Sequence, residues 1–84
     1  MVKFSVETGK RSLHQNIISL LEQSELRASF VGNDSMNPIS LVFSTENEDL
    51  TMVIQIAEKL IKQEVGKSVA FRVVPEGELV YFKK

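Results

Sequence analysis

Apolar and polar residues alternate from Val2 onward: Val2, Phe4 and Val6 are apolar, and Lys3, Ser5 and Glu7 are polar. A period of two predicts a strand with one face buried. Thr8-Gly9-Lys10-Arg11 breaks the alternation. Ser12 and Gln15 stand at capping-box spacing, where hydroxyl and amide satisfy free N–H groups at a helix start. Leu13, Ile17, Leu20 and Leu21 recur at helical spacing, with Ile18 beside them, so a helix is predicted to run to Ser24.

Leu26, Ala28 and Phe30 alternate with Arg27 and Ser29, which predicts a second strand. Gly32-Asn33-Asp34-Ser35-Met36-Asn37-Pro38 is a cluster of turn formers. Ile39-Ser40-Leu41-Val42-Phe43 is the most apolar strand candidate and belongs at the sheet centre. Ser44 to Asp49 is polar and acidic, and Thr45 with Glu48, or Asn47 alone, can cap the next helix. Leu50, Val53, Ile54, Ala57, Leu60, Ile61 and Val65 form the clearest stripe in the chain, with Gly66 as the stop. Val69, Phe71 and Val73 alternate with Ala70, Arg72 and Val74, Pro75-Glu76-Gly77-Glu78 reads as a turn, and Leu79 to Phe82 is a last short strand.

This order predicts an α+β two-layer sandwich, the ferredoxin-like β-α-β-β-α-β arrangement with a C-terminal β-hairpin extension. The alternative is β-α-β-α-β-β, in which residues 39–43 are not a separate strand. At 84 residues the chain is a single domain, 1–84, without linker or repeat. Such an architecture hosts many activities and names none of them.

Composition narrows the classes. Hydrophobic residues at 43% supply a core, which argues against intrinsic disorder. Without cysteine there is no disulfide framework, thiol nucleophile or Cys-based metal site. No apolar run is long enough for a bilayer, and residues 1–6 lack a signal-peptide core, so no membrane role is expected and the expected compartment is the cytoplasm. A net charge of -1 gives no global attraction to nucleic acid.

The predicted topology sorts the charges by end. Connections 8–12, 32–38 and 66–68 share one end, with Lys10, Arg11, Lys67 and the terminal Lys83 and Lys84, and with His14 one turn into the first helix. Asp34 is the main opposing charge. The other end collects Glu25, Glu46, Glu48, Asp49, Glu76 and Glu78, and no Lys or Arg is expected there.

Candidate chemistry is sparse. Gly9-Lys10-Arg11-Ser12 follows a strand and opens a helix, where free N–H groups favour anions, but the first glycine of a phosphate-binding loop is missing. Gly66-Lys67-Ser68 lies at a helix end, which suits a C-cap. His14 has no second His or Cys at ligand spacing and no evident nucleophile to serve. Asn33, Asp34 and Asn37 fail calcium-loop spacing. Glu46, Glu48 and Asp49 suit a first helical turn, with a basic docking partner as the other reading.

The sheet face away from the helices is expected to show Lys3, Ser5, Glu7, Arg27, Ser29, Val31, Ser40, Val42, Ala70, Arg72 and Val74. Phe4, Phe43 and Phe71 share the apolar register, so that face has no aromatic platform for bases. The second strand is an edge open to strand addition or homodimer formation. Either Tyr81 or Phe82 is expected outside the core.

The expectation is a small non-enzymatic binding or regulatory module acting through contacts with a protein partner, at Arg27, Val31, Val42 and Arg72. It requires no cofactor and no metal. The alternative is nucleic-acid or phosphate binding through Lys10, Arg11 and Lys67, helped by Lys83 and Lys84. A nuclease using the acidic end and a divalent ion is a third class.

Overall fold

The alternating segment forms β1 (Val2–Glu7), and a 3-10 turn over Arg11–Leu13 leads into α1 (His14–Gln23). Then come β2 (Ser29–Asp34), β3 (Asn37–Thr45), α2 (Leu50–Val65) and β4 (Arg72–Pro75). This computed structural model describes residues 2–34 and 36–75. It is a small α+β domain with a four-stranded antiparallel sheet and two helices, in strand order β2-β3-β1-β4. Residues 39–43 lie within β3, so the alternative β-α-β-α-β-β order is corrected. The predicted C-terminal hairpin extension, with Tyr81 and Phe82, lies outside the described residues.

Register follows the alternation. Phe4 pairs with Phe43 and Val6 with Leu41, so these four share one face. Ile17 and Leu21 of α1 and Val53, Ala57 and Ile61 of α2 complete a core with no exposed surface on any of the five. Both helical stripes therefore pack on the same side of the sheet. Phe4 stacks on Phe43 at 5.5 Å, and Phe30 tilts against the same ring at 5.6 Å. One aromatic row crosses β1, β3 and β2 and closes the core at its centre.

Several local expectations are corrected. The second strand begins at Ser29, not at Leu26. Leu26 and Ala28 are buried from a loop that folds back on α1, where the Ala28 N–H donates to the Leu21 carbonyl. Gly32, Asn33 and Asp34 belong to β2, and Asp34 Oδ1 accepts from the Met36 N–H at 2.9 Å. The Ser12–Gln15 box does not cap α1, because the chain enters through the 3-10 turn and Leu13 holds the cap position. On α2 the cap is Asp49, whose Oδ1 accepts from Met52 N at 3.1 Å. Thr45 and Asn47 instead accept from the Asn47 and Asp49 N–H groups, forming successive turns ahead of the helix. Gly66 ends α2 at φ 77, as its position predicts.

Candidate functional site

The sheet face away from the helices is built by the second half of each alternation. Lys3 pairs with Ser44, Ser5 with Val42 and Glu7 with Ser40, and β4 adds Val74 beside Ser5 and Arg72 beside Glu7. At the upper end of this face, Arg72 donates from Nε and a terminal nitrogen to Glu7 Oε1, at 2.9 and 2.6 Å. Asn37 Nδ2 donates to Glu7 Oε2 at 3.0 Å. The Arg72 guanidinium is thus already engaged. The middle of the face is covered: Ser40, Ser5 and Val42 are only 1%, 6% and 8% exposed.

Arg27 stands elsewhere. It precedes β2 in the loop after α1, with a left-handed φ of 46. Its side chain lines a groove at the lower end with Glu25, Ser29, Ser44, Glu46 and Asn47. The expectation that this end holds no Lys or Arg is therefore corrected. A buried hydrogen bond closes the base of the groove, from Thr45 Oγ1 to the Leu26 carbonyl at 2.8 Å. Arg27, Val31, Val42 and Arg72 do not form one patch. Arg27 and Val31 belong to the β2 side, Arg72 to the β4 side, and Val42 is covered between them.

Among the described residues, large apolar side chains are exposed at the β2–β3 hairpin and, to a lesser degree, at Met52 on α2. Val31 is 56% and Met36 89% exposed, and both lie on the β2–β3 hairpin. Val31 is the extra residue of a bulge, since Phe30 pairs with Phe43 and Gly32 already with Val42. The sequence reading had Val31 but missed Met36, a long apolar side chain hidden among turn formers. That mismatch was the available signal.

At the basic end, Lys10 and Arg11 diverge. Lys10 lies with Thr8, Ser68 and Val69 around one depression, and Arg11 with His14, Asn33 and Pro38 around another. Thr8 holds these loops together, its hydroxyl donating to the Ala70 carbonyl at 3.1 Å. His14 Nε2 lies 2.9 Å from the Thr8 carbonyl, and since a carbonyl only accepts, that nitrogen carries the hydrogen. The imidazole thus tethers the end of β1 to α1. Lys67 is exposed beyond α2, and Lys83 and Lys84 fall outside the described residues.

Among the described residues, no group of three or more His, Asp or Glu side chains is placed to hold a metal ion. Among them, too, no helix is long and apolar enough to cross a membrane. Comparison with protein-family models, curated proteins and solved structures finds no match.

Proposed function

We propose that the domain is a non-enzymatic binding or regulatory module of ferredoxin-like topology that engages a protein partner through its β2 edge. The observation that carries this reading is the pairing of an outermost strand with exposed Val31 and Met36 on one hairpin. An edge strand presents unpaired backbone groups, and neighbouring apolar side chains add contact area. The strand order and antiparallel pairing support the ferredoxin-like assignment. The absence of cysteine suits a reducing compartment such as the cytoplasm.

Photo-crosslinking in cells tests the reading. A crosslinker at Val31 or Met36 is expected to trap a protein, and one at the exposed Lys59 on α2 is not. Equal trapping at all three positions, or trapping at Lys59 alone, contradicts the assignment.

Binding of nucleic acid or phosphate at Lys10, Arg11 and Lys67 is the second reading. It draws on one observation: none of these three exposed side chains is held in an ion pair with a described residue. It requires affinity that falls steeply with salt and collapses in a Lys10→Ala/Arg11→Ala variant.

A further inference from the structure

We infer that the groove between the loop after α1 and the end of β3 is a site for a small basic amino acid, with Arg27 taking the carboxylate and Glu25 and Glu46 the two ammonium groups. The site uses neither Val31 nor Met36, so it goes beyond the edge reading and is tested apart from it.

The groove holds about 440 Å³, within the range of small-molecule clefts. Glu25 and Arg27 line it from the loop after α1, and Glu46 lines it from the segment after β3. Leu26 is buried, which leaves its two charged neighbours outside the core. Charges of both signs thus share one groove, yet no ion pair joins any of them, and none is hydrogen-bonded to a described residue. They stand apart around open space. Two carboxylates against one guanidinium call for a ligand with one anionic and two cationic groups. An amino acid with an ammonium side chain carries that set. Its α-carboxylate and α-ammonium share one carbon, which suits Arg27 and Glu25 on one wall, and its longer arm reaches Glu46 on the other. Lys3, opposite Ser44 on β1, does not line the groove.

The backbone holds Arg27 in place for this task. Ser24 Oγ donates to the Leu21 carbonyl at 2.8 Å and accepts from Leu26 N at 3.2 Å. The Arg27 N–H donates to the Ser24 carbonyl at 3.0 Å, and Thr45 Oγ1 ties Leu26 to the opposite wall. Arg27 is thereby fixed at a left-handed φ of 46, a conformation that costs a residue bearing a Cβ. Strain retained at a residue whose guanidinium has no described partner points to a ligand for that guanidinium. Its planar fork matches a carboxylate. Ser29 and Ser44, paired across the β2–β3 register, add two hydroxyl donors that no described residue engages.

The test is an amide-resolved NMR titration of the labelled chain with lysine, alanine and cadaverine, each against sodium chloride of equal ionic strength. Lysine is expected to shift amides of residues 25–29 and 44–47 with a Kd of about 1 mM. Alanine lacks the second ammonium and cadaverine the carboxylate, so each is expected to bind about fivefold more weakly. Arg27→Gly suits the left-handed backbone and removes the guanidinium. It is expected to weaken lysine about tenfold and to leave cadaverine unchanged. Glu46→Gln is expected to abolish the advantage of lysine over alanine. No shift with lysine up to about 20 mM, or shifts that sodium chloride alone reproduces, overturns the inference. So does an Arg27→Gly variant that binds lysine like the wild type, or one that loses lysine and cadaverine alike, which would make Arg27 merely structural.

Discussion

Arg72 grips Glu7 through two hydrogen bonds to a single carboxylate oxygen, at 2.9 and 2.6 Å, across the β1–β4 register. The other oxygen accepts from Asn37 of β3. One carboxylate thus ties three strands together, and it takes Arg72 out of the pool of free surface charges. The Glu7 side chain is 20% exposed and the Arg72 side chain 72%, so water screens one end of the pair. A double-mutant cycle with Glu7→Ala and Arg72→Ala in urea is expected to give a coupling of about 0.5 kcal/mol. Glu7→Ala alone is expected to cost more than Arg72→Ala, since it also strands Asn37. Equal costs would mean that the Asn37 contact contributes nothing.

Asp49 fixes the start of α2 by accepting from Met52 N. Asp49→Ala is expected to lower stability by about 1 kcal/mol, and Asp49→Asn to restore most of it, because either oxygen can cap. Urea unfolding of the two variants checks this. An Asp49→Ala variant as stable as the wild type would assign the cap to Asn47 or Thr45 instead.

Thr45 is 3% exposed and donates to the Leu26 carbonyl at 2.8 Å, which pins the loop after α1 to the end of β3. Thr45→Val keeps the shape and leaves that carbonyl without its partner, at an expected cost of about 1–3 kcal/mol. Thr45→Ser is expected to retain the bond. Faster amide exchange across residues 24–28 in the valine variant would report the freed loop.

Gly66 closes α2 with φ 77, and a Cβ built there meets no atom within 4 Å. Gly66→Ala therefore isolates the local backbone strain at φ 77 and ψ -170, a conformation essentially restricted to glycine, with an expected loss of about 1–3 kcal/mol. A loss several times larger in thermal unfolding would reveal a contact that the geometry lacks.

The helices were legible because their stripes are long. Ile17 and Leu21, and Val53, Ala57 and Ile61, are fully buried as their spacing predicts. Phe4 and Val6 followed from alternation alone. The second strand misled for a physical reason: Leu26 and Ala28 alternate with Arg27 like strand residues, yet they pack from a loop turned by the left-handed Arg27. A non-glycine residue in that conformation leaves no mark in sequence. The cap of α2 was ambiguous because Thr45, Asn47 and Asp49 all bond backbone N–H groups, and only geometry shows which one opens the helix. The candidate site was least legible. Glu7 and Arg72 are 65 positions apart, and their meeting depends on a register that no local pattern encodes. The bulge at Val31 likewise follows from pairing with β3, although Gly32 beside it was a hint.

The most direct test of the β2 edge as the contact surface is an amide-resolved NMR map of the labelled domain, dilute and then in cell extract and at high concentration. The account predicts that signals from Ser29 to Asp34 and from Met36 shift or broaden first, while those of Lys10, Arg11, Lys67 and the exposed positions of α2 hold still. Perturbation centred on Lys10, Arg11 and Lys67, with β2 unchanged, would contradict the account and move the site to the basic end.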